Sequence, residues 1–146
     1  MITKISFEEI YPIWRCELWP DRESAIEPNS AMQFTGGYDI YNMSTIPTFF
    51  AFKIDNIIAG VNSGHMCAGN VYRSRGIYVY DRFRGRGIGV HLLKATIDQG
   101  LNEGASFVWS YPRKSSWSTY QAAGFYLMTD WESSETSLSN AYARTT

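Results

Sequence analysis

The chain predicts an α/β fold: a mixed, mostly antiparallel central sheet with one parallel β–α–β crossover and flanking helices. Three observations lead there. Residues 48–54, 57–67 and 71–79 are aromatic and β-branched runs, separated only by Asp55-Asn56 and Ala68-Gly69-Asn70. Connections that short join antiparallel neighbours. Residues 88–102 carry apolar side chains at helical spacing, and the apolar run 106–111 follows them. A strand, a helix and a strand in that order imply a right-handed parallel crossover.

The elements can be justified in turn. Residues 2–6 alternate and predict a first strand. Ser6-x-x-Glu9 is a capping box that opens a helix over residues 7–18, with Ile10, Trp14 and Leu18 on its inner face. Pro12 lies deep enough in that helix to remove a hydrogen bond and kink it. Trp19-Pro20 ends it, since a residue before proline avoids helical geometry. Residues 21–47 hold Pro28, Gly36-Gly37 and scattered aromatics, with a short helix expected near residues 29–34. In the second strand of the meander, Gly60 and Gly64 mark weak points or bulges. The helix at 88–102 stops at Asn102-Glu103-Gly104. Ser115 or Ser116 caps a short helix to Ala123, ended by Gly124. Residues 125–131 and 138–145 read as a closing hairpin joined by the polar stretch 132–137.

Between the third strand and the long helix lies Arg84-Gly85-Arg86-Gly87-Ile88-Gly89. Glycines admit an anion close to the backbone, and the first N–H groups of a helix have no internal partner. With the helix dipole and two arginines beside them, these groups suit a phosphate. A P-loop would need Gly-Lys-Ser/Thr, but Val90-His91 follows the last glycine. A dinucleotide fingerprint would need a third glycine where Val90 stands, and a second βαβ half. A third arrangement, Arg/Gln-x-x-Gly-x-Gly with a strand valine five residues ahead, is filled at every position by Val79, Arg84, Gly87 and Gly89. Downstream comes Tyr120-Gln121-Ala122-Ala123-Gly124-Phe125.

These two motifs, in this order and separation, resemble the GNAT superfamily of acyl-CoA-dependent N-acetyltransferases. The resemblance covers the chain from Thr48 onward. It implies one GNAT-like acetyltransferase domain over residues 1–146, with acetyl-CoA as cosubstrate and no metal. It implies that Arg84, Gly85, Arg86, Gly87, Ile88 and Gly89 hold the CoA pyrophosphate. Main-chain groups at Tyr78 and Val79 would bond the pantetheine arm, left accessible by a gap toward residues 107–111. It implies that Tyr120 protonates the departing thiolate, a role open to a phenol within reach. The plain alternative is that Tyr120 packs a short helix.

The resemblance leaves the general base unassigned. Where some family members carry a strand glutamate, this chain has Arg73; where the family often has Asn, it has Arg113. His65, on the neighbouring strand, is a candidate base beside water. In the GNAT pattern residues 21–47 shape the acceptor site. There Trp14, Trp19, Phe34, Tyr38 and Tyr41 are candidate pocket walls, and Asp21, Glu23, Glu27 and Asp39 would draw in a cationic amine.

Composition sets further bounds. One hundred and forty-six residues suffice for a core without staples, and aromatic content is high, with five Trp and ten Tyr. A net charge of −1 gives no global attraction to nucleic acid or membrane. Arg73, Arg75, Arg82, Arg84 and Arg86, interleaved with aromatics, could also form a strip for single-stranded nucleic acid. The competing reading gives one or two of them to CoA phosphates and the rest to solvent. Cys16 and Cys67 show no metal spacing and suit a reducing cytoplasm. No apolar run approaches a membrane span, and the start lacks a signal-peptide core. The expectation is a soluble cytoplasmic monomer or homodimer, with a small-molecule or peptide amine as acceptor. The rival function is a non-catalytic CoA-binding regulator on the same fold.

Overall fold

Tight turns lay down the centre of the molecule. Asp55 and Asn56 adopt φ of 51° and 64°, and Gly69 and Asn70 adopt 79° and 56°, left-handed conformations that Gly, Asn and Asp accept most readily. They join β2 (Thr48–Ile54), β3 (Ile57–Cys67) and β4 (Val71–Val79) into the expected antiparallel meander. The computed structural model describes residues 1–29, 46–133 and 139–146. The short helix expected near 29–34 lies outside the described residues from Ser30 onward.

Around the meander stand β1 (Ile2–Ile5), α1 (Phe7–Ile13), α2 (Ile88–Asn102), β5 (Val108–Ser110), α3 (Trp117–Ala122), β6 (Tyr126–Leu127), β7 (Glu132–Ser133), β8 (Ser139–Asn140) and β9 (Ala143–Arg144). The main sheet runs β1-β2-β3-β4-β5-β9-β6. Among the described residues its one parallel pairing is β4 with β5, bridged by α2 as the strand–helix–strand order requires. The closing antiparallel pair is β6 with β9. The linker expected over residues 132–137 is corrected in part: Glu132 and Ser133 form β7, which pairs with β8 in a separate two-stranded ladder.

The capping box at Ser6 and Glu9 is complete, with both side chains taking the other's backbone N–H. The helix then widens. Pro12 removes one intrahelical donor, and after Ile13 the chain continues as a π-helical turn over Trp14–Leu18, closed by Trp19 N–H to the Trp14 carbonyl. α3 is entered through a 3₁₀ turn at Lys114–Ser116. Ser116 takes its N-cap position, but neither candidate serine makes a side-chain cap bond, which corrects that expectation. Gly124, at φ 103°, ends it.

β4 separates two layers. Tyr72, Ser74, Ile77 and Val79 face α2, whose Ile88, Leu92, Leu93 and Thr96 are buried against the sheet. Arg73, Arg75 and Tyr78 face the opposite side, Arg75 and Tyr78 with Ile10, Ile13, Trp14 and Phe49 and Arg73 over Trp109, while Tyr80, past the strand end, touches both layers. Strand residues alternate faces, so Arg75 and Tyr78, three apart, share a face only because an extra residue intervenes. The register shift supplies it: Val61 pairs with Tyr78 and Ser63 with Arg75, and Gly76 at the bulge has φ 80°. Gly60 sits beside the β2–β3 register shift, as expected of a weak point. Gly64 instead keeps its register, pairing with Thr48 and Ser74, and is glycine because the Tyr72 ring fills the space where a side chain would stand.

Candidate functional site

The parallel ladder between β4 and β5 is two pairs long, Tyr72 with Val108 and Arg73 with Trp109. One residue further, the link is already a side chain: the Ser110 hydroxyl reaches the Ser74 carbonyl oxygen at 2.8 Å. Beyond it Pro112 follows β5, and the strands part. The opening is a cavity of about 790 Å³, the size range of ligand sites. Ile77, Tyr78 and Val79 line it from β4, Ser110 to Arg113 from the β5 side, and Thr119 and Tyr120 from α3. The gap expected beside Tyr78 and Val79 is therefore present.

Gly85, Gly87, Ile88, Gly89 and Val90 form the mouth. Gly85 and Gly87 have φ of 78° and 75°, and a Cβ on either would meet nothing within 4 Å, so their backbone stands open. Gly87 is the N-cap of α2, and the first helical bond is His91 N–H to the Gly87 carbonyl. The N–H groups ahead of His91 have no helical acceptor. Gly89 has a different reason to be glycine: a Cβ there would come within 2.8 Å of the Thr119 methyl.

The two arginines of the turn separate. Arg84 lines the cavity but is turned back onto the strand end, with Nε donating to the Val79 carbonyl (2.8 Å) and Nη1 on Asp81 (2.6 Å). Arg86 does not line the cavity and lies near the Phe83 ring.

Tyr120 is 3 % exposed, packed edge-on against Phe125, with its hydroxyl 3.3 Å from Ser110 Oγ. Ser110 has one proton and gives it to the Ser74 carbonyl, so its lone pair is left to accept from Tyr120. Burial pushes the Tyr120 phenol above its ordinary value, opposed first by the hydrogen bond with Ser110 and then by the charges of Arg73 and Arg113. The group is thus held protonated at neutral pH, the form an acid requires.

At the other end, four arginines line the cavity: Arg22, Arg73, Arg75 and Arg113. Arg75, 5 % exposed, lies over the rings of both Trp14 and Trp19. Arg73 lies over Trp109 and Arg22 over Trp19. Burial, followed by repulsion from Arg73 and Arg22, lowers Arg75 to about 9. The five sequence arginines therefore form no strip, and Arg75 is not solvated as the plainer reading had it. Arg75 is buried against Trp14 of the α1 layer, Arg73 is half-buried over Trp109 of β5, and Arg82, Arg84 and Arg86 are exposed at the turn. Their spacing hides this, because the bulge at Gly76 lies between the two groups.

Other expectations shift as well. Trp19 lines the cavity, whereas Trp14 is a core residue that donates its indole N–H to the Gly76 carbonyl (2.8 Å). Asp21, Glu23 and Glu27 are exposed and do not line it; Glu27 gives Arg75 its carbonyl oxygen (2.8 Å), and its carboxylate charge weakly opposes the lowering of the Arg75 pKa. Phe34, Tyr38, Tyr41 and Asp39 lie outside the described residues. His65 is fully buried on β3 and does not line the cavity. Sequence reasoning missed Ser110, whose hydroxyl touches both Ser74 and Tyr120, because a serine in a strand carries no signal of its own.

Among the described residues no group of three His, Cys, Asp or Glu is placed to hold a metal, and no helix is long and apolar enough to cross a membrane. No curated protein matches the chain significantly by sequence. The chain is similar to solved structures of low identity. One is an IAA acetyltransferase from Bacillus cereus, at 14 % identity, TM-score 0.68, covering 99 % of this chain and 97 % of that one. Another is a GNAT-family acetyltransferase from Staphylococcus aureus, at 12 % identity, TM-score 0.67, covering 99 % and 97 %. A third is AAC(6')-Ib in complex with ribostamycin and coenzyme A, at 15 % identity, TM-score 0.54, covering 68 % and 64 %. At such identities the likeness shows the fold, a mixed sheet split between two parallel strands. The family profile of the acetyltransferase (GNAT) family matches residues 7–125, spanning the glycine turn, the cavity and Tyr120. The chain belongs to the GNAT family of acetyltransferases.

Proposed function

We propose that the protein transfers the acetyl group of acetyl-CoA directly to the amine of a small molecule or peptide. The observation that carries this reading is the cavity between the parted strands: an anion-binding turn at its mouth and a protonated, buried phenol on its wall. The fit to the cosubstrate is physical. Gly85 and Gly87 leave their backbone open where a diphosphate would lie, and the α2 amides ahead of His91 have no helical acceptor and suit an anion there. Past Ser74 no β5 residue pairs with β4, so main-chain groups at Ile77 to Val79 suit an amide-bearing arm. Acetyl-CoA supplies the activated acyl group.

The protein's part is positioning and charge. The amine loses a proton to water, since His65 is outside the cavity, and attacks the thioester carbonyl carbon. Main-chain N–H groups of β4 near the bulge stabilise the oxyanion as it forms. The carbon–sulfur bond breaks, Tyr120 gives its proton to the sulfur while Ser110 holds the phenol in line, and the new amide nitrogen releases its extra proton to water, which returns one to the phenolate. Cys16 and Cys67 form no disulfide, which suits a reaction in the cytoplasm.

The test is calorimetric titration with acetyl-CoA, followed by a thiol-release assay over a panel of amines. Micromolar binding, about −8 kcal/mol, with amine-dependent thiol release is expected. Binding without turnover on any amine would instead make the protein a CoA-binding regulator, and no binding at millimolar ligand would end the acetyltransferase reading.

A further inference from the structure

The acceptor end of the cavity carries a charge pattern opposite to the one its neighbouring acids suggest. Five arginines line the cavity among the described residues, and one carboxylate, Glu17. Glu17 is exposed and lies beside the Tyr78 hydroxyl (3.4 Å), beyond the bulge. Arg22, Arg75 and Arg113 bond to neutral acceptors. Arg22 reaches Ser24 Oγ (2.9 Å) and the Ala25 carbonyl (3.0 Å), Arg75 the Glu27 carbonyl (2.8 Å), and Arg113 the Leu18 carbonyl (3.1 Å). These bonds fix three guanidinium planes but neutralise none. Each fork has five N–H groups, so donors remain.

These arginines are not a second grip on the diphosphate. Arg75 precedes Val79 by four residues and Arg73 by six, one of them the bulge residue, roughly 10 and 17 Å along the strand. The glycine turn lies at the far end. Stacking on Trp14 and Trp19 holds Arg75 in place, and its repulsion by Arg73 and Arg22 would be relieved by an anion among them.

We propose that the acceptor is an amine that also bears a carboxylate, of the amino-acid class, with the carboxylate seated among Arg22, Arg75 and Arg113 at the Trp19 end of the cavity. This rests on the acetyltransferase reading and deepens it. Planar forks matched to a carboxylate fix the acceptor's register, so its amine is presented toward the bulge and the thioester. Polyamines and other purely cationic amines are repelled from the same place.

The experiment compares matched acceptors at fixed acetyl-CoA: L-amino acids, their primary amides and the amines left by decarboxylation (L-phenylalanine, phenylalaninamide and 2-phenylethylamine as one set), with spermidine as the cationic control. Carboxylate-bearing acceptors are expected to exceed both counterparts in kcat/KM by at least about tenfold, the scale of a charge-assisted hydrogen bond. Arg113→Gln and Arg22→Gln should each shrink that preference through KM while the Kd for acetyl-CoA, read by calorimetry, stays put. Arg22 is half-exposed, so its variant keeps the test open should Arg113→Gln misfold. Equal or better turnover of amides, alkylamines or spermidine overturns the inference with the acetyltransferase reading intact. A preference untouched by both variants overturns it too. Failure of acetyl-CoA to bind removes the reading beneath it.

Discussion

Trp14 and Gly76, sixty-two residues apart, hold each other in place: the indole N–H donates to the Gly76 carbonyl at 2.8 Å, and the indole ring fills the volume a Gly76 side chain would need. A Cβ at Gly76 would stand 2.5 Å from that ring, on a backbone at φ 80°. Gly76→Ala therefore combines backbone strain of about 1–3 kcal/mol with overpacking of about 1–3 kcal/mol. The expected loss in a urea melt is about 2–6 kcal/mol, and a loss below about 1 kcal/mol would show that the indole can move aside.

Gly87→Val separates binding from folding. The position has φ 75° but open space around it, so only strain opposes the change, about 1–3 kcal/mol. The side chain would enter the space assigned to the diphosphate. A folded protein with acetyl-CoA affinity lowered by at least about tenfold is expected, measured by calorimetry beside a thermal melt. Normal affinity in the folded variant would place the phosphates elsewhere.

Tyr120→Phe keeps the ring against Phe125 and removes the oxygen near Ser110. Stability should fall by about 1 kcal/mol, the usual worth of one hydrogen bond, and acetyl-CoA affinity should hold. The rate constant kcat should fall roughly 10²-fold, the scale of losing a positioned acid. An unchanged kcat, with chemistry rate-limiting, would mean that water delivers the proton.

A fourth expectation concerns alkaline pH. The Tyr72 hydroxyl donates to Glu103 (2.8 Å), and burial, then that bond, raises its pKa well above the ordinary phenol value. Below pH 10 the phenol is protonated in folded and unfolded chains alike, and its contribution is constant. Above pH 10 the unfolded chain loses the proton first, so stability falls as pH rises, by up to about 1.4 kcal/mol per pH unit for one such group. Tyr72→Phe should be about 1 kcal/mol less stable at pH 7 and show a shallower fall between pH 10 and 11.5, read from urea midpoints. Parallel curves for the two proteins would assign the fall to other groups.

Local signals explain what the sequence disclosed. β2, β3, β4 and α2 stand at their expected bounds because their limits are set by adjacent residues, such as Asp55-Asn56 and Gly69-Asn70. The glycine turn was legible for the same reason. The acceptor end was not, because its layout is decided at a distance. The bulge that puts Arg75 with Tyr78 is packed by Trp14, and Arg113 is fixed by the carbonyl of Leu18, ninety-five residues away. Acids near in sequence, Glu23 and Glu27, suggested a cationic ligand, whereas the cavity is lined by five arginines and, of the acids, by Glu17 alone among the described residues.

The bulge at Gly76 also makes β4 unequally tolerant of changes in chain length. A residue added at Asp55-Asn56 lengthens a turn and leaves both strands on their faces. A residue lost at Gly76 would act as a frameshift in space, sending Tyr78 and Tyr80 into the layer under α2 and Ile77 and Val79 toward α1. Every side chain between the bulge and the glycine turn would change sides at once. The strand thus carries two alternating patterns written in different phase, and the glycine between them is the mark at which the phase changes.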